Sequence, residues 1–211
     1  MAKTKPFDEH AAQYEDWFER NTLAFESELR AIREQLPKPK NNNGIEIGLG
    51  SGRFAAPLGI KIGVEPSKEM RDLAKQKGID AIDGIAENLP FEDSQFEFAL
   101  MVTTICFIDD IKTVFREAYR ILRPGAFLII GFIDKESHLG RTYQRNKEES
   151  VFYRIATFYT VAEIVDNLKK VGFKNFNFTQ TIFHTLSELK DIDPIKEGYG
   201  EGSFVVIRAI K

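Results

Sequence analysis

Residues 45–52 read I-E-I-G-L-G-S-G, and this stretch decides the fold. A short apolar strand that carries the acid Glu46 runs into glycines at alternate positions, Gly48, Gly50 and Gly52. A strand that ends in glycines lets the backbone approach a ligand closely, because no Cβ stands in the way. If a helix begins just after the glycines, its free N–H groups point at the same place. The stretch therefore predicts a cradle for a nucleotide-like ligand.

The composition limits the class of protein. The 211 residues are 43% hydrophobic and 29% charged, which is typical of a soluble globular protein and sufficient for one domain with a substantial core. The formal net charge of −3 gives no basic excess, so we expect no nucleic-acid partner. The chain shows neither a signal-peptide core nor a run of about 18 apolar residues, which predicts a cytoplasmic protein without a membrane span. The single cysteine, Cys106, fits a reducing compartment and is expected to be a small core residue.

The N-terminal part of the chain has the apolar spacing of helices. Residues 8–36 predict a helical segment in which Asp8 caps the first turn. Residues 37–44, P-K-P-K-N-N-N-G, predict a linker. We therefore expect a helical arm, or lid, with its linker over residues 1–43, followed by a ligand-binding domain over residues 44–211.

After the linker, predicted strands and helices alternate, which indicates an α/β fold with a largely parallel sheet. Thr160 and Glu163 form a capping box at the start of the last helix. The 13 residues between Ile47 and Lys61 leave room for only a very short crossover. No helix separates the last two strands, so we expect an antiparallel pair there. The predicted strands are 45–47, 61–65, 79–82, 96–103, 126–133, 175–183 and 203–210, and the predicted helices are 67–77, 111–122 and 161–171.

A second acid, Glu65, ends the second predicted strand. In a doubly wound sheet the carboxyl ends of neighbouring strands lie side by side, and ligands bind there. A carboxylate at this place can accept hydrogen bonds from both hydroxyls of a ribose. The alternative is a solvated acid before a helix N-terminus, where the helix dipole favours negative charge. Glycines with an acid fit both NAD and S-adenosylmethionine, but the pattern G-x-G-x-G here, with Arg53 following it, differs from the dinucleotide fingerprint G-x-G-x-x-G.

Five motifs follow one another over about residues 45–133: I-E-I-G-L-G-S-G-R-F, G-V-E-P-S-K-E-M, G-I-A-E-N-L-P-F, F-E-F-A-L-M-V-T-T and F-R-E-A-Y-R-I-L-R-P-G-A. In this order and spacing the set resembles the class I S-adenosylmethionine-dependent methyltransferases, in particular the type 11 group that includes ubiquinone-biosynthesis-like enzymes. The resemblance implies a doubly wound seven-stranded sheet of order 3-2-1-4-5-7-6, with the last strand antiparallel and helices on both faces. It also implies S-adenosylmethionine as the cofactor and S-adenosylhomocysteine as its product.

The resemblance further implies which residues bind the cofactor. Glu46 would lie near the methionine amino group, Glu65 would bind the ribose, and Ala86 with Glu87 would flank the adenine. Ile85 stands where the group often has an aspartate that accepts from the adenine amino group, so adenine recognition must use Glu87 or main-chain groups. The remaining implied cofactor residues are Gly48, Gly50, Gly52, Pro66, Met70, Thr103 at the methionine end and Tyr14 as a cover.

Methyl transfer from a sulfonium is an in-line displacement that depends on positioning and exclusion of water, so no fixed catalytic pair is required and none is predicted. The three histidines, His10, His138 and His184, are scattered without ligand spacing, which predicts no metal site. One of Asp109 and Asp110 is expected to cap a helix, and the other to face the mouth of the substrate site.

The sequence therefore predicts methyl transfer from S-adenosylmethionine to an unidentified small-molecule acceptor. Two alternatives stay open: an NAD(P)-dependent oxidoreductase, and a non-catalytic cofactor-binding or regulatory protein with the same fold. We also expect residues 138–159 and the N-terminal arm to form a lid whose Phe and Tyr side chains shape an apolar pocket.

Overall fold

A twisted sheet with helices on both faces organises the chain, and the computed structural model describes residues 3–37 and 43–211 of it. The strands are β1 (Gly44–Ile47), β2 (Ile62–Val64), β3 (Asp80–Ile82), β4 (Phe96–Val102), β5 (Leu122–Ile133), β6 (Lys174–Thr181), β7 (Lys196–Glu197) and β8 (Phe204–Ile210). The helices are α1 (Lys5–Glu9), α2 (Ala11–Arg20), α3 (Thr22–Gln35), α4 (Ala55–Leu58), α5 (Lys68–Gln76), α6 (Ile111–Ile121), α7 (His138–Arg145) and α8 (Val161–Val171).

The strand order is β3-β2-β1-β4-β5-β8-β6-β7. Strands β1 to β5 are parallel, and β8 lies antiparallel between β5 and β6, which confirms the predicted order and the antiparallel last strand. The described part of the sheet has eight strands and not seven. The extra strand β7 pairs two charged residues with Thr179 and Gln180 at the outer edge of β6. Two charged residues carry no apolar alternation, so no pattern in the sequence predicts this strand.

The sheet is buried on both faces, as expected where helices cover a largely parallel sheet. Alternate residues of β4 enter different clusters, since Ala99 and Met101 pack with α6 and α8 on one face while Phe98 and Leu100 pack with α3 on the other. The crossover between β1 and β2 holds only the four-residue helix α4, which confirms the predicted short connection. Among the described residues, no helix is both long enough and apolar enough to cross a membrane.

The predicted helical segment 8–36 is interrupted twice, because His10 and Asn21 have non-helical backbone angles. Asp8 lies inside the first turn of α1 and does not cap it, which corrects that expectation. Helix α3 packs fully against the sheet, with Ala31 and Ile32 completely buried, whereas α1 and α2 lie across the end of the sheet. Most of the predicted linker, residues 38–42, lies outside the described residues.

Helix α8 begins and ends where the sequence predicts. Thr160 accepts a hydrogen bond from the backbone N–H of Glu163, the Glu163 side chain accepts from the backbone of Thr160, and Gly172 ends the helix in the left-handed conformation. The predicted capping box is therefore confirmed.

We expect Thr160→Ala to lower the free energy of unfolding by about 1 kcal/mol, because a helix N-terminal N–H group loses its partner. Thr160→Ser, which keeps the hydroxyl, is the matched control and should stay close to the parent protein. Urea unfolding, monitored by circular dichroism, measures the free energy of unfolding of both variants. Equal losses in the two variants would show that the hydroxyl does not stabilise α8.

Candidate active site

The glycine loop after β1 is held in an unusual backbone conformation. Gly48, Gly50 and Gly52 have φ angles of 71°, 54° and 77°, a region that favours glycine. A Cβ on Gly48 would collide with the side chain of Thr104, which donates a hydrogen bond to the Gly48 carbonyl at 3.1 Å. A Cβ on Gly50 would project towards the hydroxyl of Tyr14, 3.1 Å away. The loop thus packs tightly against Thr104 at Gly48 and leaves room only for a residue without a side chain between Gly50 and Tyr14.

Glu65 connects this loop to the start of α5. It follows β2, is 7% exposed, and its carboxylate accepts hydrogen bonds from the backbone N–H of Gly50 at 2.8 Å and of Ser67 at 2.9 Å. Burial raises the pKa of Glu65, while the bonds from Ser67 and Gly50 and the charge of Arg71 act in the opposite direction. A carboxylate accepts about four hydrogen bonds, so two acceptor positions remain for a ligand with paired hydroxyls.

A cavity opens beside the glycine loop and Glu65; we call it the loop cavity. Nine of the eleven predicted cofactor residues line it, whereas Glu46 and Gly52 do not. Gly52 instead packs against the end of α5 and the residues after it, since a Cβ there would lie 2.5 Å from the Ile79 side chain and 3.4 Å from the Cβ of Ala74. Ile85 also lines the cavity and supplies no acceptor. The nine predicted residues in the lining are Tyr14, Gly48, Gly50, Glu65, Pro66, Met70, Ala86, Glu87 and Thr103.

Glu46 lies buried behind the glycine loop. One carboxylate oxygen receives a backbone hydrogen bond from Ala55, at the start of α4, so this helix end faces Glu46 and not the cavity. The other oxygen, Oε2, has no hydrogen-bond partner among the described residues. Burial raises the pKa of Glu46 well above its usual range, and the nearby charge of Glu65 adds to the shift. A buried acceptor without a partner is costly, and a cationic amino group at the loop would relieve that cost.

A second cavity of about 220 Å³ adjoins the loop cavity; we call it the aromatic chamber. Both are lined by Phe7, Tyr14, Thr103 and Phe107, so these four side chains form their common boundary. Thr103 has a φ of 50°, which is rare for a β-branched residue and marks local strain at this boundary. More than half of the residues that line the chamber are aromatic, and they include Trp17, Tyr143, Phe152 and Tyr153.

The aromatic chamber combines the two segments that the sequence marks as a lid. Tyr143, Phe152 and Tyr153 come from residues 138–159, and they line the same space as Phe7 and Tyr14 of the arm. The rings are in direct contact, since the centroids of Phe7 and Phe152 lie 5.3 Å apart and those of Tyr143 and Tyr153 lie 4.6 Å apart. An apolar pocket of this kind is suited to a small acceptor that must be shielded from water.

Tyr14 stands between the two cavities. Burial raises the pKa of its phenol far above the ordinary value, and the charges of Glu65, Glu46 and Glu15 raise it further. The hydroxyl therefore stays protonated and can act as a hydrogen-bond donor toward either cavity.

Hydrogen bonds hold the N-terminal arm, with helices α1 and α2, over the loop cavity. Asp8 accepts a hydrogen bond from the Ser67 hydroxyl at 2.6 Å, and the Nε of Arg53 donates to Glu15 at 2.9 Å. Glu15 also accepts from the Ser51 hydroxyl. These contacts join α1 and α2 to the glycine loop and to the cap of α5, so the arm covers the loop cavity.

The sequence did not identify several residues of the loop cavity. Lys3, Thr4 and Phe7 line it because α1 folds back across the sheet, which no local pattern in the sequence indicates. Asp109 lines it as well and pairs with Lys3 at 3.0 Å, whereas Asp110 caps α6 by accepting from the backbone of residues 112 and 113. Asp110 therefore has the expected capping role, whereas Asp109 lies at the loop cavity and does not line the aromatic chamber.

The remaining polar candidates lie elsewhere. None of His10, His138 and His184 lines the loop cavity or the aromatic chamber, and His184 pairs with Asp193 at 2.8 Å. Burial raises the pKa of the Cys106 thiol to about 12, and the thiol donates to the Thr103 carbonyl, which makes it a poor nucleophile. Within residues 3–37 and 43–211, no group of three or more His, Cys, Asp or Glu residues comes together to hold a metal ion.

Comparisons with known proteins agree with this geometry. The family model of the type 11 methyltransferase domain matches residues 45–130. A SAM-dependent methyltransferase of Thermotoga maritima, named as a possible histamine N-methyltransferase, has a crystal structure that is 51% identical, covers 99% of both chains and gives a TM-score of 0.95. An uncharacterised protein of Methanocaldococcus jannaschii is 44% identical over 97% of this chain and 98% of its own length. A ubiquinone/menaquinone biosynthesis C-methyltransferase of Rickettsia typhi is 29% identical over 68% of this chain and 73% of its own length.

The sheet order, with a glycine loop after β1 and a carboxylate at the end of β2, defines a class I methyltransferase. The chain belongs to the type 11 S-adenosylmethionine-dependent methyltransferases, and S-adenosylmethionine is its cofactor. The buried unpartnered oxygen of Glu46 and the cavity that Gly50 lines both fit that molecule, which carries an amino group and needs close contact with the backbone.

We expect Gly50→Ala to weaken the binding of S-adenosylhomocysteine at least tenfold, because the new methyl group would enter the loop cavity beside Tyr14. The matched control is Gly78→Ala, where φ is also positive at 77° but nothing lies within 4 Å of the added Cβ. Both variants should lose about 1–2 kcal/mol of stability from backbone strain. Calorimetric titration and thermal unfolding separate the two effects, and equal affinities in both variants would show that Gly50 does not adjoin the cofactor.

Proposed function

We propose that this enzyme transfers a methyl group by in-line displacement to a small-molecule acceptor bound in the aromatic chamber, with the cofactor in the loop cavity. The supporting observation is that the two cavities meet at a boundary that includes Tyr14 and Thr103. An acceptor in the chamber and a methyl group in the loop cavity would then approach each other across this boundary. No observation favours the oxidoreductase or the non-catalytic alternative.

In this proposal the chain's residues bind and orient. Glu65 accepts from the ribose hydroxyls with the acceptor positions that Gly50 and Ser67 leave free. Glu46 stands behind the loop as the counter-charge for the amino group. The adenine lies against residues 85–87, where the Glu87 carboxylate or main-chain groups take the place of the missing acid. Glu87 accepts one hydrogen bond from the backbone of residue 109, at 3.4 Å, and keeps other acceptor positions free.

S-adenosylmethionine supplies a methyl group that is already activated by its positively charged sulfur. The protein therefore contributes orientation and exclusion of water, and the closed arm with the aromatic chamber provides both. The name of the Thermotoga maritima relative puts amines first among the acceptors to be screened, followed by phenols, quinones and small acids.

The cofactor assignment is tested at Glu65. We expect S-adenosylhomocysteine to bind in the micromolar range and its affinity to fall at least a hundredfold in Glu65→Ala, because the ribose contact and the anchor of the glycine loop are both lost. Glu69→Ala, an exposed acid in α5, is the control and should bind normally. Calorimetry measures the affinity of all three proteins for S-adenosylhomocysteine. Tight binding of NAD in place of S-adenosylhomocysteine would overturn the assignment.

The role of the arm is tested at Asp8. Removing its contact with the Ser67 hydroxyl should loosen the cover and speed the dissociation of S-adenosylhomocysteine about fivefold, as expected for one lost hydrogen bond of about 1 kcal/mol. Glu9→Ala is the matched control, because this exposed neighbour pairs only weakly with Lys5 at 3.7 Å. Stopped-flow dissociation gives the rates. If S-adenosylhomocysteine dissociates from Asp8→Ala and from Glu9→Ala at the same rate, α1 does not act as a cover.

A further inference from the structure

The aromatic chamber contains one buried acid that the proposed transfer does not use. Glu28 lies in α3, is 4% exposed and lines the chamber among the aromatic rings. Among the described residues it has no ion pair, and burial alone raises its pKa to about 8. An unpaired acid in an apolar chamber destabilises the empty protein, so Glu28 has no evident structural purpose there.

We infer that the acceptor is a small amine whose ammonium group is bound by the Glu28 carboxylate inside the aromatic chamber. This inference rests on the proposed function and names its substrate class. An ammonium supplies the missing counter-charge, and charge-assisted hydrogen bonds to a carboxylate are stronger than neutral ones. The faces of Trp17, Tyr143 and other rings add cation–π attraction, which is strongest where water is excluded.

The surroundings of Glu28 favour a cation over an anion or a neutral polar group. Tyr143 and Tyr153 stand close enough for the charge of Glu28 to raise their pKa values, so both remain neutral phenols. Arg20 is the basic residue in the lining, but its side chain is 68% exposed and pairs with Asp16 outside the chamber. The interior thus carries one potential negative charge and no positive one among the residues described. The anchored nitrogen need not be the atom that is methylated.

The charge state of Glu28 gives the inference a pH signature. Below pH 8 the empty site holds a proton, which an incoming ammonium must displace, so the affinity for an amine should rise about tenfold per pH unit from pH 6 to 8. Above pH 8 it should level off until the amine itself loses its proton. Tyr14, Tyr143 and Tyr153 are the phenols that line the chamber with Glu28, and none of them changes charge in this range. Arg20, the basic side chain in the described lining, pairs with Asp16.

The single tryptophan of the chain, Trp17, lines the chamber and reports its occupancy by fluorescence. The probes are 2-phenylethylamine and its neutral counterpart 2-phenylethanol, titrated into the complex with S-adenosylhomocysteine. We expect the amine to bind at least tenfold more tightly than the alcohol at pH 8. In Glu28→Gln the preference and its pH dependence should disappear, while Glu26→Gln, a half-buried acid on the same helix, should keep both.

Two further measurements distinguish a failure of this inference from a failure of the proposed function. Glu28→Gln should bind S-adenosylhomocysteine normally and should melt at a higher temperature than the parent at pH 8 but not at pH 4.5, because at pH 8 the parent's unfolded state ionises Glu28 fully while its folded state ionises it only in part. Equal binding of amine and alcohol, no amine binding, or a preference that survives in Glu28→Gln would overturn the inference and leave the cofactor assignment intact. Failure to bind S-adenosylhomocysteine would instead overturn the proposed function.

Discussion

The buried carboxylate of Glu65 holds the cofactor end of the molecule together. Its two oxygens receive backbone N–H groups from Gly50 and Ser67, which belong to segments on either side of β2. Hydrogen bonds to an ionised acceptor are stronger than neutral ones, and here they also oppose the rise in pKa that burial causes. Because Ser67 in turn donates to Asp8, the same carboxylate fixes the loop, the start of α5 and, at one remove, the arm.

The fold was predictable where a local pattern has a single physical meaning. Thr160, Glu163 and Gly172 delimit α8 through capping chemistry that depends on neighbours in sequence, and the structure reproduces it. The breaks at His10 and Asn21 were not predicted, because the apolar spacing continues across both residues. At Asn21 the side-chain amide donates to the Trp17 carbonyl at the end of α2, a local contact that the apolar spacing does not reveal. Strand β7 likewise depends on a neighbouring strand edge and on no pattern of its own.

The same distinction applies to the candidate site, where some residues are placed by the strand topology and others only by the path of α1. Residues at strand ends, such as Gly50 and Glu65, meet because parallel topology brings strand ends together. Lys3 and Phe7 meet them only because α1 folds back, which sequence spacing does not encode. Glu28 did leave a signal, since it falls within the buried stripe of α3, three residues after Phe25 and four before Ile32. A charged residue inside an apolar stripe is a reason to look for a ligand.

The two acids without a counter-ion, Glu46 and Glu28, lie in similar physical environments. Each is buried, each has its pKa raised by burial, and neither has a basic partner among the described residues. Glu46 lies behind the cavity for a cofactor that carries positive charge, and Glu28 lies in the adjoining chamber. A protein that paired these acids internally would be more stable when empty, but it would have no reason to prefer a cationic ligand. The stability lost at these two positions is therefore the source of the selectivity we infer.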